Sequence, residues 1–408
     1  MKRTRNPVVP DVRQISRSTI LRQIYLGKSM SRQKLSQYSG LSSATITNVV
    51  VELLEEGIVI ESGIEASQGG RPRSILTINP HYGYFIGVDI GETFIRIQLF
   101  DLALHKLSSI TYPQVLDENR PEQAVQFICQ GAEAVLAEVG ITLAKVLGVG
   151  IGVGGLVERD EQIAAYVPSW GWQSVPLVSL LETYFPMPIY LDNAAKAMAH
   201  AESLFGAGQW SKHLAVLLVG TGIGAGIIAD DSLYRGVSNN AGEWGHTTIE
   251  LNGRLCRCGG YGCLEAYAGA PGIIGRLREV APQSSLLQSN DQERIIAAIV
   301  EAARNGDPAA IGVLKDTAHY LGAGIANLIN LFNPQVIVLG GWVGLEIGEY
   351  ILPELHRFVA RYALKRLFSA TRIELSHLGQ DAVVMGAAAF TLEQFLAVAG
   401  RHNSSSLK

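Results

Sequence analysis

The sequence predicts an α/β protein built as two lobes behind a small helical head, and three observations predict it. Glycine-punctuated apolar stretches such as YFIGVDIGETFIRIQLFDL (84–102) and LLVGTGIGAGII (217–228) alternate with helical stretches, the pattern of sheets covered by helices. At 408 residues, 48% hydrophobic and 17% charged, the chain exceeds what one core fills, so two or three domains are expected. Charge is also uneven: residues 1–80 carry eleven Lys/Arg against six Asp/Glu, while the remainder carries 22 against 31. A basic head on an acidic body points to nucleic acid as the head's partner.

The head is read first. Ser18 to Tyr25 places Ile20, Leu21 and Ile24 on one helical face, which Gly27 ends. Ser31 can cap a second helix that buries Leu35, and Gly40 makes a tight turn. Ser42 or Ser43 then caps a third helix with Ile46, Val49, Val50, Leu53 and Leu54 inward. That layout is a helix-turn-helix. The outward start of its last helix offers Ser42, Ser43, Ala44, Thr45, Thr47 and Asn48, short groups suited to phosphates and base edges in the major groove. Apolar stretches at Ile58–Ile64 and Ser74–Ile78 flank the tip GGRPR, a two-stranded wing whose Arg71 and Arg73 fit a narrow A·T-rich minor groove.

In the body, residues 122–139 read as a helix, and VLGVGIGVGGLV (146–157) reads as a buried strand entering a glycine turn. The turns Asp-Ile-Gly-Glu-Thr (89–93) and Gly-Thr-Gly (220–222) let backbone N–H groups approach a ligand or let two strands meet tightly. The stretch GEWGHTTIELNGRLCRCGGYGCLEA (242–266) holds His246, Cys256, Cys258 and Cys263 as His-x9-Cys-x-Cys-x4-Cys. Three thiolates and one imidazole close a tetrahedral Zn2+ site with no position left for water, so the metal is expected to be structural. Clustered cysteines without an apolar export signal fit metal binding in a reducing, cytoplasmic setting, and no apolar run is long enough for membrane insertion.

GEWGH followed by CRCGGYGCLE resembles the signature of the ROK family of sugar kinases and sugar-responsive repressors, from about Tyr84 to the C-terminus. The resemblance implies an actin-like (ribonuclease H-like) two-lobed fold. Residues 81–194 would form the small lobe, completed by a C-terminal helix at 381–400, and 195–380 the large lobe with the zinc site and an oligomerisation surface. It implies two phosphate loops, an adenosine-side loop at 331–343 and a final helix within 379–390. Residues 1–80 resemble the winged helix-turn-helix heads of the repressor branch, which the kinases lack.

Two departures separate this chain from the kinases that it resembles. Counting back from Glu202 puts the kinases' general base at Ala194, with Lys196 in place of a second asparagine. Glu92 stands where the first phosphate loop usually has glycine, which sets a negative charge beside any phosphate. Phosphoryl transfer needs a group to orient and deprotonate the hydroxyl, and alanine supplies neither. The resemblance carries over a sugar pocket of Asn193, Glu243, His246, Glu265 and the turn Gly154–Gly155, with Trp170 and Trp172 in a loop like the family's substrate-side segment. The expectation is a regulator without kinase activity that binds a double-stranded DNA operator and a sugar effector as a homodimer or homotetramer. The competing expectation is a sugar kinase with an added head.

Overall fold

A computed structural model describes residues 12–65, 73–114, 120–159 and 163–400. In the head, α1 (Val12–Gly27), β1 (Met30–Ser31), α2 (Arg32–Ser39) and α3 (Ser43–Glu55) precede the hairpin β2 (Val59–Glu65) and β3 (Arg73–Ile78). The Ser31 side chain accepts from Lys34 N, and Gly40 takes a left-handed φ of 68° at the end of α2, where a side chain would be strained. Of the two candidate caps for α3, Ser42 is the one used: its side chain accepts from Thr45 N. The sheet order β1-β3-β2 adds a short strand that periodicity could not reveal, since two residues carry no pattern.

The body continues with β4 (Tyr84–Ile90), β5 (Phe94–Asp101), β6 (Lys106–Pro113), α4 (Pro121–Val139), β7 (Val146–Val153), β8 (Leu156–Arg159), β9 (Ile163–Val167), β10 (Trp172–Val175), α5 (Leu177–Leu181), β11 (Ile189–Asn193) and α6 (Ala194–Phe205). After it come β12 (Leu214–Val219), β13 (Ile223–Ala229), β14 (Ser232–Leu233), α7 (Glu265–Ala268), α8 (Ala270–Val280), α9 (Gln292–Arg304), α10 (Pro308–Phe332), β15 (Val336–Gly340), α11 (Gly341–Tyr362), α12 (Lys365–Phe368), β16 (Arg372–Leu375) and α13 (Ala382–Ala397).

Two five-stranded sheets share one topology, β11-β7-β4-β5-β6 and β16-β15-β12-β13-β14. In each, three consecutive strands make an antiparallel meander, and two later strands add in parallel beside the first. Parallel addition requires crossovers, which contain α4 and then α5 in the first sheet, and α7–α10 and then α11–α12 in the second. β4, β7 and β15 are buried along their whole length, which is why they read as continuous apolar runs.

Helices α6 and α13 lie between the sheets. A β-carbon on Gly150 of β7 would collide with the Ala387 carbonyl, and one on Gly386 of α13 with the Ala197 carbonyl, so glycine at both positions permits close packing. The other face of α6 sets Ala195 and Ala199 against Gly224 and Gly226 of β13.

The head shares a core with this region. Ile20, Leu21, Ile24 and Leu53 pack in one cluster with Phe85, Phe100, Leu392, Phe395 and Leu396. Each such side chain contributes about 1.5–3 kcal/mol when fully buried. Arg17 of α1, 0% exposed, donates from Nε to Ala399 O at 2.7 Å and from Nη1 to Glu56 Oε1 at 2.9 Å. An unpaired guanidinium there would be costly, so these contacts fix the angle of the head on the small lobe. Among the described residues, no helix is long and apolar enough to cross a membrane.

Candidate functional site

The loop between β14 and α7 folds through bridges at Thr248–Cys263 and Leu255–Tyr261. One ligand atom each from His246, Cys256, Cys258 and Cys263 lies within 4.8 Å of the others. His246 Nδ1 is 3.8 Å from Cys256 Sγ, and Cys258 Sγ is 3.8 Å from Cys263 Sγ, with all three cysteines free of disulfides. Tetrahedral ligands about 2.3 Å from a metal stand ~3.8 Å apart, so the donor set fits a closed metal site. Burial pushes the Cys256 thiol up to about 12, and only a cation among these sulfurs reverses that preference.

The same loop carries Glu243 and His246, both partly buried, and ends in the buried Glu265. Burial raises Glu243 above the ordinary carboxylate range, moderated by His246 and Lys196. Among the described residues none hydrogen-bonds its carboxylate. With His246 Nδ1 toward the sulfurs, Nε2 is the ring nitrogen left for a ligand. Glu265 is more committed than its sequence position suggests: Oε2 accepts from Ile223 N at 2.9 Å and Oε1 from Arg257 Nη2 at 3.4 Å.

Across the cleft, Asn193 caps α6. Its Oδ1 accepts from Ala195 N at 2.9 Å and Lys196 N at 3.3 Å, while Nδ2 donates to Gly155 O at 2.7 Å. It therefore holds the Gly154–Gly155 turn in place and keeps one amide hydrogen for a ligand. Gly155 has φ 86°, and a β-carbon there would press on Tyr166 O, so the turn requires glycine. Ala194 opens α6 at the position of the missing base. Asp192 offers no substitute: it is 0% exposed, pairs with Arg235, and accepts from Asn239 Nδ2 at 3.2 Å, with Arg159 at 3.5 Å. Lys196 is buried too, donating to Asn239 O, and burial lowers its pKa against the opposing pull of Asp192 and Glu243.

The two tryptophans part company. Trp172, 2% exposed, belongs to the small-lobe core, whereas Trp170 is half-buried against Gly154.

The phosphate-loop side is occupied by protein. Arg257, from the metal loop, donates from Nη1 to Glu92 Oε1 at 2.5 Å and from Nη2 to Thr221 O at 3.4 Å, spanning both loops. Thr93 reaches Glu293 at 3.2 Å. Trp342 packs on Gly220, with Cδ1 and Nε1 each 3.2 Å from where a β-carbon would sit. Glu92, expected to set a negative charge beside any phosphate, is paired here with Arg257. An arginine between two metal-ligating cysteines was the available signal. Trp342 lies in the stretch 331–343, expected as the adenosine-side loop.

In the head, Ser43, Thr47 and Asn48 are exposed on α3. Ser42 and Thr45 bond each other at 2.9 Å, so their hydroxyls serve the cap first. Arg73 is exposed at the start of β3, while Arg71 lies outside the described residues.

A winged helix-turn-helix head fused to a duplicated, two-lobed α/β body defines an actin-like sugar-kinase scaffold carrying a DNA-reading module. The chain belongs to the ROK family, on its repressor branch: residues 85–394 match the family. It is 33% identical over 391 residues to the xylose repressor of Caldicellulosiruptor bescii, covering 94% of this chain and 97% of that one. A crystal structure of a ROK family transcriptional regulator, homologous to Escherichia coli MLC, superposes with a TM-score of 0.80 at 27% identity over 95% of this chain and 98% of its own. A ROK glucokinase from Streptomyces griseus, solved with glucose and AMPPNP, superposes with a TM-score of 0.65 at 30% identity. That match takes in 99% of the kinase but 76% of this chain, as expected if the kinase has no head.

Proposed function

We propose that the chain represses sugar-use genes by binding a symmetric DNA operator as a homodimer or homotetramer, and that a monosaccharide in the interlobe cleft releases it. It is a sugar-responsive transcriptional repressor and not an enzyme. One observation supports the sensing part: Glu243 has no hydrogen-bond partner among the described residues, His246 turns Nδ1 to the sulfurs and leaves Nε2 for a ligand, and α6 opens with Ala194 instead of a carboxylate. Carboxylates accept paired hydroxyls and the imidazole donates one bond, which suits a sugar without promoting transfer. The relatives' names make xylose the first sugar to test.

The four-ligand cluster would hold Zn2+ through His246, Cys256, Cys258 and Cys263. Bound there, the metal supplies only rigidity, fixing the loop that carries Glu243 and Glu265. The head shares its core with α13, and α6 begins at the cleft and packs on α13. A sugar that draws the lobes together therefore shifts the head with the small lobe, and two heads in an oligomer lose their match to the half-sites. At the DNA, Ser43, Thr47 and Asn48 face the major groove, with Ser42 and Thr45 shaping the helix start and Arg71 and Arg73 on the wing. The test is a gel-shift titration of an A·T-rich palindrome with and without xylose. Affinity should fall steeply with salt and fall again with sugar. Undiminished binding by the Arg71→Ala, Arg73→Ala double variant sinks the wing assignment.

A further inference from the structure

We propose that Trp170 decides which sugar the cleft accepts, and that it confines the ligand to a compact ring, an aldopentose rather than a hexose carrying an arm on that edge. This rests on the sugar-sensing reading above and deepens it. Trp170 ends a short turn, Pro168–Trp170, between β9 and β10. Its Cζ2 and Cη2 atoms lie 3.7 and 3.9 Å from where a β-carbon on Gly154 would be, so the indole covers the glycine turn that Asn193 clamps. Behind it stands Trp172, edge to face at 5.2 Å between centroids and 87° between planes. Trp172 belongs to the small-lobe core and Trp170 packs against that core, so protein backs both rings.

The second observation concerns polarity. Trp170 Nε1 is buried and has no hydrogen-bond partner among the described residues. Orphaned buried donors are uncommon in native proteins, and an indole N–H can only donate. An acceptor brought by a ligand would satisfy it, beside an aromatic face suited to C–H groups. A pyranose supplies both, through a hydroxyl or ring oxygen and the hydrogens of its flat face. Trp170 packs against the small-lobe core yet stays partly exposed, and packing alone leaves its buried donor without a partner. The wall that the indole makes is rigid and close to the turn, so a hydroxymethyl or N-acetyl arm directed there meets a ring.

Xylose and glucose isolate this effect because they differ only by the C5 hydroxymethyl group. Calorimetry on the full-length protein would compare xylose, glucose and N-acetylglucosamine for wild type, Trp170→Leu and Trp170→Phe, with DNA binding as the check on folding. Wild type should prefer xylose. Trp170→Leu should shift the xylose-to-glucose ratio toward glucose by about tenfold or more, on the scale of a lost pocket wall. Trp170→Phe keeps a ring but loses the donor, and should weaken every sugar by about three- to tenfold without changing their order. An unchanged ratio in Trp170→Leu, or a wild type that prefers a hexose, overturns the proposal while leaving sugar sensing intact. No sugar binding by any of the three proteins, with DNA binding normal, sinks the sensing reading and this one with it.

Discussion

On one side of the cleft, Glu243 and His246 Nε2 keep their hydrogen-bonding capacity open, and the turn opposite them is held by Asn193 without consuming all of its amide. On the other side, Glu92, Arg257, Thr221 and Glu265 satisfy one another, and Trp342 lies on Gly220. Glu92 and Thr221 stand in equivalent turns, β4–β5 and β12–β13, of two sheets with the same topology. The difference teaches that a two-substrate cleft can be halved: one half stays available to a ligand, while the other becomes a clasp between lobes. Arg257, Glu243 and His246 sit on the one loop that carries the His/Cys cluster, so the two halves are tied.

That tie gives the largest expected effect. Cys258→Ser removes one of four ligand atoms, and both halves should fail together. Elemental analysis should show metal lost, and calorimetry should show sugar affinity down by more than about a hundredfold as the loop loosens. Metal retained with full affinity would separate the halves and break the comparison. Glu243→Gln should affect the open half alone. Sugar binding should weaken by about 10- to 150-fold, the scale of a hydrogen bond to a charged group, with melting temperature and operator binding little changed.

The closed half can be probed by pH. Burial holds Asp89, near the end of β4, at about 7, well above its ordinary value. A raised folded pKa means that the native state binds the proton more tightly. The contribution is therefore fullest below about pH 4 and is lost as pH rises through about 7. Asp89→Asn should remove this slope and raise stability at pH 8 by an amount on the order of a few kcal/mol, measured by urea unfolding across the range. The smallest effect belongs to Arg257→Ala. It strands Glu92, but the guanidinium is 36% exposed, so solvent screening limits the loss to about 1 kcal/mol. Sugar affinity should not fall, because Glu265 Oε1 is then released.

Much of the open half was legible in the sequence, because its chemistry is concentrated in one stretch with metal-ligand spacing. The head helices were legible for a related reason: caps, glycine turns and short-range periodicity are local signals. Asn193 was only half read, since its use as a helix cap and turn clamp depends on where β7 ends. The clasp was illegible, because Glu92 and Arg257 are 165 residues apart and only the fold brings them together. The same holds for Arg17, whose partners lie at both ends of the chain.

The central claim is that sugar binding persists where phosphoryl transfer does not. The direct test is ADP release by the wild-type protein at saturating xylose with millimolar ATP and Mg2+. The account predicts no sugar-dependent ADP above background, in a sample whose sugar binding has been verified by calorimetry. Sugar-dependent ADP release that disappears in Asp192→Asn would contradict it. That result would mean that Asp192 leaves its buried pair with Arg235 to act as a base, and that the cleft still holds two substrates.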